Sequence, residues 1–163
     1  MKKIELRIRV IGEPVLTQEA KTVKEITDYH REALSQMSRL MYESSGVGLA
    51  APQIGIGEAM FVADCGSGLY KLINPKIKRQ EGAQSMEEGC LSLPGISVEV
   101  ERAAKVILQA LDETGKSVVI EADDLLARVF QHEVDHLNGK LILDYASSEE
   151  RAKIKKKMEN FKE

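Results

Sequence analysis

Three features of the 163-residue chain predict an α+β fold. Short segments that alternate apolar and polar residues are interspersed with amphipathic helical segments in no regular order. A turn sequence, Asp112-Glu113-Thr114-Gly115, joins two of the alternating segments as a hairpin. One amphipathic segment near the C-terminal end, from about residue 124 to Gly139, stands apart from the rest. Irregular order with hairpins argues against a doubly wound parallel sheet. The expected architecture is therefore mixed or antiparallel β-sheets packed around a central helix, with an N-terminal helix and a C-terminal helix. Residues 1–163 are expected to form one domain.

Taken in order, Ile4, Leu6, Ile8 and Val10 alternate with Glu5, Arg7 and Arg9, the pattern of a half-buried strand. Gly12-Glu13-Pro14 breaks it. Thr22-Val23-Lys24-Glu25 has the capping-box form and predicts a helix to about residue 43, with Ile26, Leu34, Met37 and Met41 facing inward. His30 in that helix is expected at the surface. The following stretch, Ser44 to Gly55, holds glycines, alanines and Pro52, which permit close backbone approach. It is too irregular for a dinucleotide or phosphate loop.

Strands are expected over residues 59–63 and 69–73, the second ended by Asn74-Pro75, with 77–79 continuing the sheet. Cys65 falls by a turn between them. Residues 80–87 read as a polar connection. Ile96, Val98 and Val100 alternate with Ser97, Glu99 and Glu101, and residues 105–111 and 117–121 flank the hairpin turn. A last short strand is expected over 141–143. Ser147-x-x-Glu150 then opens a final helix with Ile154, Met158 and Phe161 on its apolar side and Lys153, Lys155, Lys156 and Lys157 around it.

Hydrophobic content of 43% and charged content of 30% are ordinary for a globular protein. A net charge of −3 gives no global basic field of the kind that calls for nucleic acid. No apolar run approaches the roughly 18 to 20 residues of a membrane span. Met1-Lys2-Lys3-Ile4-Glu5 does not have the form of a secretory signal. Two cysteines are not a disulfide framework. A reducing, cytoplasmic compartment of bacterial type is the expected location, and an organellar origin stays open.

The segment from about residue 124 carries the chemistry. Leu125, Val129, His132 and His136 form an i, i+4, i+7, i+11 stripe, and Gly139 supplies a C-terminal stop. His132 and His136 lie one turn apart on the same face, so both rings can point at one divalent metal. Glu133 sits beside the first ligand, positioned to act on a metal-held water without ligating. The chain has only three histidines, and two of them are here. Cys90 offers a third ligand elsewhere; its competing role is that of a buried structural thiol.

Three segments now combine. Gly46-Val47-Gly48-Leu49-Ala50-Ala51-Pro52-Gln53, Glu88-Gly89-Cys90-Leu91-Ser92 and Gln131-His132-Glu133-Val134-Asp135-His136 resemble the three signature motifs of the peptide deformylases, in that family's order and with similar separations. The resemblance extends from about Arg7 to the C-terminal helix and takes in Leu72-Ile73-Asn74-Pro75 and Leu125-Leu126-Ala127-Arg128. The loop around Cys65 to Tyr70 is short. Ala103 follows Arg102 where many relatives have Pro.

The resemblance implies hydrolytic removal of the formyl group from N-terminal formylmethionine of new polypeptides, with release of formate. It implies one divalent metal held by Cys90, His132 and His136. Fe(II) is the expected ion, with Zn(II), Ni(II) or Co(II) able to replace it. Glu133 is the implied general base, and the Gln53 side chain and the Leu91 backbone N–H are the implied oxyanion donors. Gly48 would align the peptide backbone. Val47, Leu125 and Val129 are candidates for the methionine pocket and equally for plain core, and Gln53 for a loop residue that only bonds backbone. Arg102 could orient the peptide or an acidic neighbour such as Glu88.

The implied partners are formylmethionyl nascent peptides. The lysine run of the C-terminal helix fits a transient contact with the ribosome, and a solvated face on a docked helix, the favoured reading, explains it as well. No membrane and no specific nucleic acid are expected. Two rival readings stand beside this one. The first is another metal-dependent amidase or small peptidase, and the second is a binding protein for N-terminal peptides with a degenerate site.

Overall fold

Among the described residues, seven strands form two antiparallel sheets, and the α+β class is as the sequence predicts. The computed structural model describes residues 4–159. Helix α1 (Asp28–Glu43) precedes strands β1 (Gly48–Ala50), β2 (Met60–Ala63), β3 (Tyr70–Glu81), β4 (Gln84–Cys90), β5 (Leu93–Arg102), β6 (Lys105–Leu111) and β7 (Ser117–Asp123). Helices α2 (Asp124–Leu137) and α3 (Ser148–Glu159) follow, and short 3-10 helices lie at Pro14–Thr17, Ala51–Ile54 and Ile142–Tyr145. The larger sheet has the order β1-β2-β3-β6-β7, and β4 and β5 pair separately. Among the described residues, no helix is long and apolar enough to cross a membrane.

Strand β2 shows why the site forms where it does. All four of its side chains are buried, because successive residues point to opposite faces and a helix covers each face. Met60 and Val62 join Leu34, Met37 and Met41 of α1 in one core cluster. Phe61 and Ala63 join Ala127, Val129 and Phe130 of α2 in another. Burying each of these large side chains stabilises the fold by about 1.5–3 kcal/mol. This layer fixes α2 against the sheet. A third cluster joins Leu93, Ile96, Val98 and Val100 of β5 to Leu16, Ile142 and Ile154.

Several local expectations are corrected. Residues 4–10 form no strand. They make single bonds instead, such as Arg9 N–H to Gln53 O (2.6 Å), and Ile11 N–H donates to Ser92 O (2.9 Å). Helix α1 starts at Asp28, not after Thr22, because Thr27 is the cap. His30 is buried rather than exposed. Its Nδ1 accepts the Thr27 N–H (3.1 Å), as the third helical residue does in a capping box, and its Nε2 meets Glu58 Oε1 at 3.1 Å.

Strand β3 runs through Asn74-Pro75 with a register shift there. The polar stretch assigned to a connection holds the end of β3 and the exposed first half of β4, and 141–143 leads into a 3-10 helix rather than a strand. In α3, Ile154 is buried and Met158 packs beside the same cluster. Phe161 lies outside the described residues.

Candidate metal centre

Helix α2 brings His132 and His136 together by its pitch alone. Their Nε2 atoms are 3.2 Å apart. Cys90 arrives from the end of β4, where the ladder shifts register between Gly89 and Cys90. Such bulges re-aim a side chain, and Cys90 Sγ lies 3.4 Å from His136 Nε2. The three donor atoms all lie within 4.8 Å of one another. A tetrahedral metal with bonds of about 2.05 Å to nitrogen and 2.3 Å to sulfur sets donors roughly 3.3 Å (N···N) and 3.6 Å (N···S) apart. The His132–His136 and Cys90–His136 spacings fit one such ion, and the third pair stays within 4.8 Å.

The surroundings also favour a cation. His132 Nδ1 lies 2.8 Å from Glu88 Oε1. Burial opposes charge on the His132 ring, yet hydrogen bonds to Cys90 and Glu88 outweigh it and lift its pKa to about 10, so a metal bound there would displace a ring proton. Burial and the nearby charges of His132 and Arg102 hold His136 well below the usual 6.5, so the ring is neutral with one nitrogen lone pair, and Nε2 is the atom that faces Cys90 and His132. Glu88 opposes its own burial with bonds from Arg102 and His132, which bring its pKa down to about 2. An ionised Glu88 requires the proton of neutral His132 on Nδ1, which leaves Nε2 free to ligate.

Glu133 is 3% exposed, and burial pushes its pKa up to about 7. Its Oε1 is enclosed with no hydrogen-bond partner among the described residues. A buried unpaired carboxylate oxygen is costly, so the donors converge beside an acceptor that still has capacity. A Cβ placed on Gly48 would stand 2.5 Å from Glu133 Oε2 and 3.0 Å from Val129 Cγ1. Gly48 is therefore glycine because the carboxylate and Val129 occupy the space beside it.

Gln53 sits in the 3-10 helix that Pro52 starts. Its Oε1 accepts the Ala50 N–H (2.9 Å). Its Nε2 donates to Ser92 Oγ (3.1 Å) and reaches Cys90 Sγ at 3.5 Å. A cavity of about 590 Å³ opens over this group, lined by Val47, Gly48, Gln53, Cys90, Leu91, Leu125, Val129, His132 and Glu133 among others. Val47 and Leu125 are 44% and 46% exposed at its wall, so they are not plain core, whereas Val129 is 5% exposed.

Arg102 stands elsewhere. It is buried and does not line the cavity. Its Nε and Nη2 donate to the two Glu88 oxygens (2.9 Å each), and Nη1 donates to Asp135 and to Tyr145 Oη (3.2 Å). Of its two candidate roles, the geometry matches the one that orients Glu88.

Sequence reasoning missed Arg128, Asp135, Tyr145 and Ser92 as neighbours of the centre. Arg128 carried a usable signal, since it lies four residues before His132 on the same helix face.

Comparison with known proteins places the sequence and the fold. The sequence profile described as Polypeptide deformylase matches residues 5–152. A peptide deformylase from Halothermothrix orenii is 51% identical over 141 residues, 85% of this chain and 92% of that one. The crystal structure of a peptide deformylase from Legionella pneumophila superposes with a TM-score of 0.92 at 38% identity, covering 96% of this chain and 95% of that one. The peptide deformylase structure from Thermotoga maritima gives 0.85 at 45% identity, covering 87% of this chain and 97% of that one. With three motifs in place, most of the chain matched and the fold shared, this chain belongs to the peptide deformylase family.

Proposed function

We propose that this protein hydrolyses the formyl amide at the amino terminus of new polypeptides that begin with formylmethionine, releasing formate and a free amine. The observation that carries the reading is the convergence of Cys90, His132 and His136 within 4.8 Å, beside buried Glu133, at the wall of an open cavity. These three residues would hold one divalent cation. Fe(II) is the proposed ion, with Zn(II), Ni(II) or Co(II) as substitutes; affinity order alone does not select iron, so availability must. When bound, the metal supplies Lewis acidity and lowers the pKa of a water from about 15.7 toward about 7.

Glu133 takes the proton from the attacking water as general base and returns it to the leaving amine. Burial favours a carboxyl that can hold the proton between the two transfers. Gln53 Nε2 and the Leu91 backbone N–H meet the negative charge that develops on the formyl oxygen. The bond from Ala50 to Gln53 Oε1 supports this role, because it fixes which end of the amide faces Cys90.

The cavity receives the methionine side chain along Val47, Leu125 and Val129. The backbone of Gly48 runs beside the peptide. Gly48→Ala is expected to displace the Glu133 carboxylate, so that kcat falls while metal content holds. Steady-state kinetics with metal analysis checks this; an unchanged kcat would show that Glu133 tolerates the methyl group.

The function is tested by offering formyl-Met-Ala, acetyl-Met-Ala and unblocked Met-Ala to the metal-loaded protein. Formyl carries hydrogen where acetyl carries a methyl group, so a close-walled site cleaves only the first. Equal turnover of the acetyl peptide would make the protein a general amidase. No release from any peptide would make it a binding protein.

The substrate arises where translation occurs, and we place the enzyme in that compartment, the bacterial-type cytoplasm. The lysines of α3 face solvent while Ile154 docks the helix, which supports transient contact with ribosomal RNA. Co-sedimentation with ribosomes that survives deletion of residues 148–163 would remove that contact.

A further inference from the structure

The donors come from two separate pieces of structure. Cys90 ends β4, and β4 and β5 form their own sheet, outside the five-stranded ladder against which α2 packs. No ladder hydrogen bond of the larger sheet therefore sets the sulfur relative to the two imidazoles. Side-chain bonds cross the gap instead, and small displacements matter because the 3.2 Å and 3.4 Å spacings at His136 leave little slack.

Arg128 spans the gap. It lies on α2 one turn before His132 and is 4% exposed. Its Nη1 donates to Glu88 Oε2 on β4 and to Val100 O on β5 (2.9 Å), and its Nη2 donates to Gln84 O at the start of β4. One guanidinium thus grips both strands of the hairpin and two points along β4. The planar fork holds its donors in a fixed relation, which a flexible ammonium does not. The Glu88 carboxylate that it holds is the one that meets His132 Nδ1.

We propose that Arg128 is a positioning residue that clamps the sulfur-bearing hairpin onto the two-histidine helix and thereby sets the metal affinity of the site. Arg102 reaches across the same gap in the other direction, from β5 to Asp135 on α2. Arg128 differs in bonding backbone carbonyls of both strands, so it holds the hairpin itself as well as its carboxylate. This inference rests on the reading of Cys90, His132 and His136 as one ligand set.

The test titrates Co(II) into the metal-free full-length protein, wild type and variant, without oxygen. Affinity is read by competition with a chelator, and sulfur ligation by the thiolate-to-cobalt charge-transfer absorption. Arg128→Leu removes the fork and keeps an apolar stem. It is expected to weaken Co(II) binding by about 10–100-fold, as loss of groups that orient ligands does, and to diminish the charge-transfer band.

Arg128→Lys keeps the charge and reaches fewer acceptors, so a smaller loss in the same direction is expected; it carries the test if the leucine variant does not fold. The thermal midpoint of the metal-free protein is measured alongside. A lowered midpoint with unchanged Co(II) affinity and absorption, in either folded variant, would reduce Arg128 to a structural role and overturn the proposal. Wild-type protein that binds Co(II) without thiolate absorption would instead overturn the ligand set itself.

Discussion

Glu133→Ala is expected to end formate release while the metal stays bound. The side chain does not ligate in this account; it moves a proton. It is 3% exposed, and burial raises its pKa, which favours a carboxyl that can hold a proton between acceptance and donation. Positioned proton transfer contributes about 10²- to 10⁴-fold to rate, and the alanine variant should lose at least that. Metal analysis and steady-state kinetics on one preparation check both halves of the expectation. Full activity would refute the role assigned to Glu133, and loss of metal would show that the carboxylate helps to hold the ion.

Gln53→Ala comes next in size. Loss of one oxyanion donor lowers kcat by about 10²- to 10³-fold, or about 2.7–4 kcal/mol in barrier. The amide is well placed for this because it is held at both ends, by Ala50 N–H at the oxygen and by Ser92 Oγ at the nitrogen. Its contact with Cys90 Sγ means that metal content must be measured in the same sample. A near-normal rate with metal present would return Gln53 to an ordinary loop residue bonding its own backbone.

The sequence made some parts of the molecule legible and hid others for physical reasons. The stripe through Leu125, Val129, His132 and His136 was readable because helical pitch is local. So was the β6–β7 hairpin, whose turn residues set its register. Segment 4–10 has the alternation of a strand yet joins no ladder, and pairing is not encoded in one segment. Strand β4 escaped notice for the opposite reason: most of its residues are exposed, so it shows no apolar period.

His30 looked like a surface residue because its two partners, the Thr27 amide and Glu58, include one that is 28 positions away. The Glu88, Arg102, Arg128, Asp135 and Tyr145 cluster is a set of long-range ion pairs and hydrogen bonds between β4, β5, α2 and the segment after it. The Arg102–Glu88 pair stood among the sequence alternatives, but the links from Arg128, Asp135 and Tyr145 did not. The three motifs supplied the ligands, the base and the proposed oxyanion donors, whereas the apparatus that holds those groups in place came only from the fold.

X-ray absorption at the metal edge of the Zn(II)- or Co(II)-loaded protein tests the ligand set most directly. The account predicts one sulfur at about 2.3 Å and two imidazole nitrogens at about 2.0–2.1 Å, with a further light-atom position for water. Cys90→Ser should lose the sulfur signal and keep the imidazole scattering. A first coordination sphere without sulfur, or one in which the Cys90→Ser spectrum matches the wild type, would contradict the account at its base.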